Sequence, residues 1–296
     1  MNTPPTIPGI GPRARAGRRP PRGFTLAEML VVVAVVAILV AILLPVYFSV
    51  RKQARSTVSL SNMRQWGQGL NAYAVDNKAR LPWEGNKNAN QMPANFNSKA
   101  WWGNAIPPYV GQKPYSEVSD EATAQGLSVP LPPTTGNIFI DPTAEVPANA
   151  PYTGGGKKFF FCYAPNAQLD NTLEQNMIVR AQQQGIPYDA QAVRMPLAQI
   201  PKPAVTVVMM ELRTVKTELP PDDPFFNEAL NRHYGDWQRF AARHRRGGHM
   251  AFADGSVRHV DNLFATTNSV GGRQDGPGFE MNKPDLVWDP LGPAFN

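Results

Sequence analysis

Apolar positions are distributed unevenly along the chain, and the densest block comes early. From Met29 to Phe48 the sequence reads MLVVVAVVAILVAILLPVYF, twenty residues without a charge. As a helix this block spans roughly 30 Å, the thickness of a bilayer core. Past it, Leu60, Met63, Trp66, Leu70 and Tyr73 recur every three or four positions, with Arg64, Gln65, Gln68 and Asn71 between them. This period predicts an amphipathic helix that continues the apolar one, a rod of roughly 75 Å over Phe24 to about Val75. Pro45 falls inside it and is expected to kink it or loosen its hydrogen bonding, and Gly67 and Gly69 to weaken it further.

Beyond Asn77 the pattern changes. Most of the 30 prolines lie here, in stretches such as SVPLPPTTG, PANAPYTGGG and LPPDDP that predict long surface loops. Candidate strands are Asn137 to Ile140, Lys158 to Tyr163 and Val205 to Leu212, and Thr172 to Gln184 reads as a helix. The segment GHMAFADGSVRHV, residues 248–260, alternates on both sides of Asp254-Gly255 and predicts a hairpin with a two-residue turn. That register sets Met250 opposite His259 and Phe252 opposite Val257 on one mainly apolar face, with Ala251 opposite Arg258 on the other. The expected class is α+β: a long N-terminal helix, half membrane-spanning and half amphipathic, packed on a small antiparallel sheet with long Pro-rich loops.

Charge refines the organisation. The net charge is +6, but Arg13, Arg15, Arg18, Arg19 and Arg22 precede the first acid, Glu28, and removing residues 1–23 leaves 24 basic against 23 acidic residues. The basic character therefore serves membrane orientation, with the N-terminus cytoplasmic, better than nucleic-acid binding. A cleaved secretory signal would need a small-residue site after the apolar run, where Val46, Tyr47 and Phe48 stand instead. The Arg18-Arg19 pair hints at a twin-arginine signal, yet Pro20 and Pro21 follow it. The single cysteine, Cys162, excludes an intramolecular disulfide and reads as a small buried hydrophobe.

Two segments carry a family resemblance. Gly23-Phe24-Thr25-Leu26-Ala27-Glu28, followed by Met29, Leu30 and the valine-rich run, resembles the cleavage and methylation segment of type IV prepilins and type II secretion pseudopilins. The resemblance implies cutting after Gly23 by a prepilin peptidase that also methylates the new amine of Phe24. It further implies a helix-kinking role for Pro45 and an assembly role for Glu28 against the amine of a neighbouring subunit. Residues 244–260 resemble the H-X9-DG element found near the C-terminus of many prepilin-like proteins, with His244, Asp254 and Gly255 at the matching positions.

The expected organisation is then a basic leader over 1–23, a transmembrane helix over 24–48, its amphipathic continuation over 49–76, and an extracytoplasmic domain over 77–296. The implied partners are the peptidase, other pilin-like subunits, inner-membrane assembly machinery and lipid, in a single-pass protein of a bacterial inner membrane that can reach the cell surface after assembly.

No enzymatic constellation can be assembled from the sequence. His244 and His249 flank a hairpin and need not converge, and no carboxylate-rich or cysteine-rich cluster accompanies them, so no metal or cofactor is assigned. Calcium on loop acids such as Asp222 and Asp223 is conceivable with its ligands undefined. Arg239, Arg243, Arg245 and Arg246 read as a solvated face, and Trp83, Trp101 and Trp102 as core or loop anchors rather than a sugar platform. Two function classes stay open: a filament subunit, and a membrane-anchored binding protein that uses only the processing route.

Overall fold

A computed structural model of the chain describes residues 23–84, 98–125, 137–145, 153–154, 157–158, 161–169, 196–215, 218, 235–268, 270–273 and 281–290. The leader before Gly23, the helix expected over 172–184, Asp222 and Asp223, and most of the Pro-rich loops lie outside the described residues. The chain divides into two units, Met1–Val50 and Arg51–Asn296.

The first unit contains the start of helix α1, Leu26–Asp76, which runs unbroken through Pro45. Its N-terminus is closed by a capping box. Thr25 Oγ1 accepts the Glu28 N–H at 3.2 Å, and Glu28 Oε2 accepts from the Thr25 N–H at 2.8 Å and from its hydroxyl at 2.9 Å. Two of the donors that every helix start leaves unpaired are thereby satisfied. Within this unit the apolar side chains from Met29 to Val50 are exposed, and the helix is long and apolar enough to cross a membrane.

In the second unit the rest of α1 packs on a four-stranded antiparallel sheet. Met63, Trp66, Leu70 and Tyr73 are buried, whereas Leu60 is only half-buried and two polar residues, Ser59 and Asn62, lie in the buried stripe. Gly69 has a packing reason that helix propensity does not reveal: a Cβ there would stand 2.7 Å from Ile106 Cγ2 and 3.2 Å from its carbonyl oxygen. The helix ends where Lys78 and Ala79 take positive φ, with the Ala79 N–H bonded to Ala74 O at 2.8 Å. Short helices α2, Trp102–Ala105, and α3, Tyr115–Ala124, follow. The Trp66 ring meets Trp102 and Phe139 edge-on at 5.2 Å each. Trp101 and Trp102 are fully buried and Trp83 is half-buried, which places the first two in the core.

Strands β1, Thr153–Gly154, and β2, Lys157–Lys158, form a two-stranded ribbon. The main sheet has the order β3, Tyr163–Pro165; β4, Val207–Glu211; β5, Gly247–Phe252; β6, Val257–Asp261. β4 and β5 are buried on both faces, as central strands covered on each side must be, while β6 at the edge is exposed except at Val257 and Val260. Helix α4, Asn262–Thr266, is capped by Asp261.

Three strand expectations need correction. Residues 137–140 form a turn, not a strand; Pro142 follows, and side chains of α1 take the carbonyls a ladder would have used, Trp66 Nε1 donating to Ile138 O at 2.9 Å and Asn62 Nδ2 to Ile140 O at 3.3 Å. The run expected over Lys158 to Tyr163 is divided, since β2 ends at Lys158 and β3 begins at Tyr163. The hairpin has a three-residue loop. Phe252 N–H donates to Ser256 O and Gly255 N–H to Phe252 O, with Gly255 at φ +86°, the arrangement of a type I turn followed by a left-handed glycine. Every pairing therefore slips by one: His249 faces His259, Met250 faces Arg258, and Ala251 faces Val257. Met250 and Phe252 lie on one face, where Arg258 stacks over the Phe252 ring at 4.1 Å, and His249 and Ala251 face α1, Ala251 lying under Gly67.

Candidate functional site

The strand registers assemble a polar row across the sheet. Tyr163 on β3 pairs with Glu211 on β4, the pairing of Met210 with Met250 sets Glu211 opposite His249 on β5, and His249 pairs with His259 on β6. Directly opposite residues share a face, so these four side chains line up perpendicular to the strands, with Tyr163, Glu211 and His249 buried and His259 exposed at the edge. The helix meets them with Ser59, whose hydroxyl bonds Tyr163 OH at 2.8 Å, Asp141 Oδ2 at 3.0 Å and Glu211 Oε1.

His244 joins the row through a second tight turn. The His244 N–H donates to Gly247 O and the Gly247 N–H to His244 O, both at 2.9 Å, so only Arg245 and Arg246 lie between, at φ +47° and +66°. Positive φ at both central positions is the signature of a type I′ turn, normally reserved for Asn-Gly or Asp-Gly. This turn folds the His244 ring back to 5.0 Å from the His249 ring. His244 Nε2 bonds Asp141 Oδ2 at 2.8 Å and lies 3.6 Å from Glu211 Oε2, while His249 Nδ1 donates to Glu211 Oε1 at 2.7 Å. The sequence reading kept the two histidines apart and found no carboxylates for them. In the structure they converge, on carboxylates supplied from more than thirty positions away in the chain.

Arg243 closes the cluster on one side. Its Nε donates to Asp141 Oδ2 at 3.2 Å, and one terminal nitrogen donates to Leu212 O at 2.6 Å and to both Glu218 oxygens at 2.8 and 3.0 Å. Thr143 fixes the other Asp141 oxygen through its backbone N–H at 2.7 Å and its hydroxyl at 2.6 Å. Of the four arginines read as a solvated face, only Arg245 and Arg246 are exposed; the Arg243 side chain is buried, and Arg239 is buried against Asp236 at 2.7 Å.

The electrostatics follow from these contacts. Burial alone would raise the Asp141 carboxyl, but the Arg243 guanidinium and the bonds from His244 and Thr143 outweigh it and hold the group well below the usual carboxylate range. Burial likewise disfavours a charged His244, yet its bond to Asp141 and the nearby Glu211 charge raise its pKa above the ordinary imidazole value. Asp141 and His244 thus form an ion pair. Burial pushes the Glu218 carboxyl up despite Arg243. It also pushes the free Cys162 thiol far above its ordinary value, so this side chain is an inert core group.

The N-terminal residues singled out by the sequence lie apart from this cluster in the chain. Gly23, Phe24 and Glu28 are exposed at the start of α1, and Glu28 is engaged by Thr25. The Thr25-x-x-Glu28 capping signature was present in the sequence and its local role was missed. Asp254 is exposed and accepts from the Ser256 N–H at 2.9 Å, while Gly255 touches α1, a Cβ there standing 2.8 Å from Asn71 Nδ2.

Comparison with known proteins bears on the N-terminal part. The prokaryotic N-terminal methylation motif matches residues 18–44. Over 58 residues the chain is 38% identical to the type IV wide pilus major component PilA4 of Thermus thermophilus, a match covering 20% of this chain and 44% of that pilin. The chain is similar to a type IV pilin. It spans less than half the length of that curated relative, and no solved structure matches it.

Proposed function

We propose that the chain is a prepilin-like subunit, cut after Gly23 and N-methylated at Phe24, that assembles through α1 into a type IV pilus or type II secretion pseudopilus. The observation that carries the reading is the methylation motif at residues 18–44 leading into a helix whose exposed side chains from Met29 to Val50 are almost all apolar. Such a surface is compatible with water nowhere along its length; it belongs in lipid before assembly and against other helices after it. The similarity to a pilus component supports the same reading. The partners are a prepilin peptidase, further pilin-like subunits, inner-membrane assembly machinery and membrane lipid. The subunit role is structural rather than enzymatic.

The carboxylate of Glu28 lies one helical turn from the amine that cleavage would create at Phe24, and we assign it to assembly against that amine on a neighbouring subunit. The H-X9-DG resemblance at His244, Asp254 and Gly255 adds a second link to prepilin-like proteins.

One observation favours a second reading. The pilin similarity covers only 20% of the chain, and a protein that borrowed the processing route alone, as a membrane-anchored extracytoplasmic binding protein, would share no more than this. Intact-mass measurement of the chain from its host, together with electron microscopy of sheared surface fractions, tests both. A methylated chain beginning at Phe24 and present in filaments supports the subunit; the same chain confined to membranes as a non-polymer supports the anchor; a chain beginning at Met1 or beyond Phe48 overturns both.

A further inference from the structure

We infer that Glu211, His244 and His249 form a binding site for one divalent transition-metal ion, Zn2+ by its ligand chemistry, buried between the sheet and the outer half of α1. This goes beyond the filament reading and does not depend on it. Each of the three residues offers one donor atom, these atoms all lie within 4.8 Å of one another, and all three residues are buried. The observed separations are 2.7 Å between His249 Nδ1 and Glu211 Oε1 and 3.6 Å between His244 Nε2 and Glu211 Oε2. A tetrahedral zinc with ligands at about 2.0–2.1 Å needs donors about 3.3 Å apart, between these two values. Asp141 Oδ2, 2.8 Å from His244 Nε2 and already accepting from Ser59 and Arg243, lies outside this donor set and supports it, so a non-protein ligand completes the tetrahedron.

A second observation points to a ligand. Among the described residues, Glu211 Oε2 is one of the buried side-chain atoms with no hydrogen-bond partner. Buried polar atoms are nearly always satisfied, and Glu211 Oε2 is left facing the His244 ring nitrogen at 3.6 Å, beyond hydrogen-bond reach. Coordination explains it. The charge also fits: Asp141 and Glu211 face a divalent ion, while Arg243 is shared between Asp141 and Glu218. Binding requires both rings to be neutral, each turning a lone pair to the ion.

Nitrogen and carboxylate donors in a buried set select zinc and its neighbours over calcium, which takes six to eight oxygens. With a single cysteine in the chain, such an ion would supply the cross-link between β4, β5 and the turn that precedes β5 that no intramolecular disulfide can. The supporting shell is in place: Ser59 and Arg243 on Asp141 Oδ2, Thr143 on Oδ1 and Tyr163 against Ser59.

The test uses the full chain in detergent, stripped with a chelator and then given ZnCl2 alone. About one equivalent of zinc should survive gel filtration, with a rise in Tm; Co2+ should give the intense visible absorption of a tetrahedral site; CaCl2 should do neither. His249→Gln and Glu211→Gln should each weaken zinc binding by at least about tenfold, the scale of ligand-shell losses, while near-ultraviolet circular dichroism reports whether the buried tryptophans keep their packing. A folded wild-type chain that retains no zinc and shows no Tm shift overturns the site, with no variant needed. Stabilisation by calcium and not zinc overturns it equally, as does undiminished zinc binding by folded variants.

Discussion

Replacing Ser59 with alanine tests whether the polar row is what fastens α1 to the sheet. The hydroxyl has three partners, yet it owns one proton, and two of the partners are carboxylates that can only accept. It therefore donates to Asp141 or Glu211 and accepts from Tyr163, whose oxygen in turn accepts from Asn62 Nδ2 at 3.4 Å. Removing it loses one charge-assisted bond, about 1.5–3 kcal/mol, and one neutral bond, about 0.5–1.5 kcal/mol, and strands the buried Tyr163 hydroxyl. Alanine returns about 0.5 kcal/mol through its helix propensity. The expected loss is about 2–4 kcal/mol, read as a lower urea midpoint with unchanged slope when the full chain in detergent is followed by tryptophan fluorescence. Trp66, Trp101 and Trp102 are fully buried beside the same helix and report the transition. Thr57→Ala, on the exposed side two residues earlier, should stay within about 0.5 kcal/mol. A Ser59→Ala loss no larger than that of Thr57→Ala would refute the reasoning and leave α1 held by its apolar residues alone.

Three further outcomes are expected. Gly255→Val should destabilise the chain by about 1–2 kcal/mol in the same assay, because φ +86° excludes a branched side chain and the new Cβ meets Asn71; cleavage after Gly23, read by intact mass, should be unaffected. Arg246→Gly should raise stability by roughly 0.5–1 kcal/mol by relieving a residue held at φ +66°, and a loss of stability there would mean that the arginine side chain makes an essential contact. Glu28→Gln retains the reach-back bond of the capping box and removes the charge, whereas Glu28→Ala removes both. If Glu28 serves assembly by its charge, both variants are cut after Gly23 and both are missing from filaments; normal filaments from Glu28→Gln would reduce its role to capping.

The fold was legible wherever periodicity was long. The apolar run and the three-and-four spacing through Tyr73 specify one helix over fifty residues, and VTVVMMEL, apolar on both faces, specifies a central strand. Short elements were less legible for physical reasons. Residues 137–140 have the β-branched and aromatic character of a strand, but the donors that satisfy their carbonyls are Trp66 and Asn62, brought there by the tertiary fold and invisible to local propensity. The Asp-Gly signal located the hairpin but not its loop length. Two and three residues are both favourable with this dipeptide, and the choice decides which face every side chain takes.

That single residue of slip decides the β6 end of the row, whereas the β4–β5 register sets Glu211 against His249. In the two-residue register His249 would have shared its face with another partner; in the observed one it faces His259 and continues the line from Tyr163 through Glu211. The return of His244 needed a second turn that the sequence disguises, since Arg-Arg carries none of the composition that marks positive φ. Asp141 and Glu211 gave no local sign of pairing with histidines about a hundred and about forty residues on. Each was hidden in a different way: Asp141 beside Pro142 reads as a turn, and Glu211 reads as the polar end of a strand. Such a buried group of charges costs desolvation that hydrophobic replacements would avoid. The folded arrangement nevertheless gathers them from the 137–145 segment, β4, the turn before β5 and β5 beneath Ser59 of α1, where displacing the helix would remove a hydroxyl partner from both Asp141 and Glu211. The cluster thus couples the position of α1 to the integrity of the sheet, and it does so at the residues that sequence periodicity would have filled with apolar side chains.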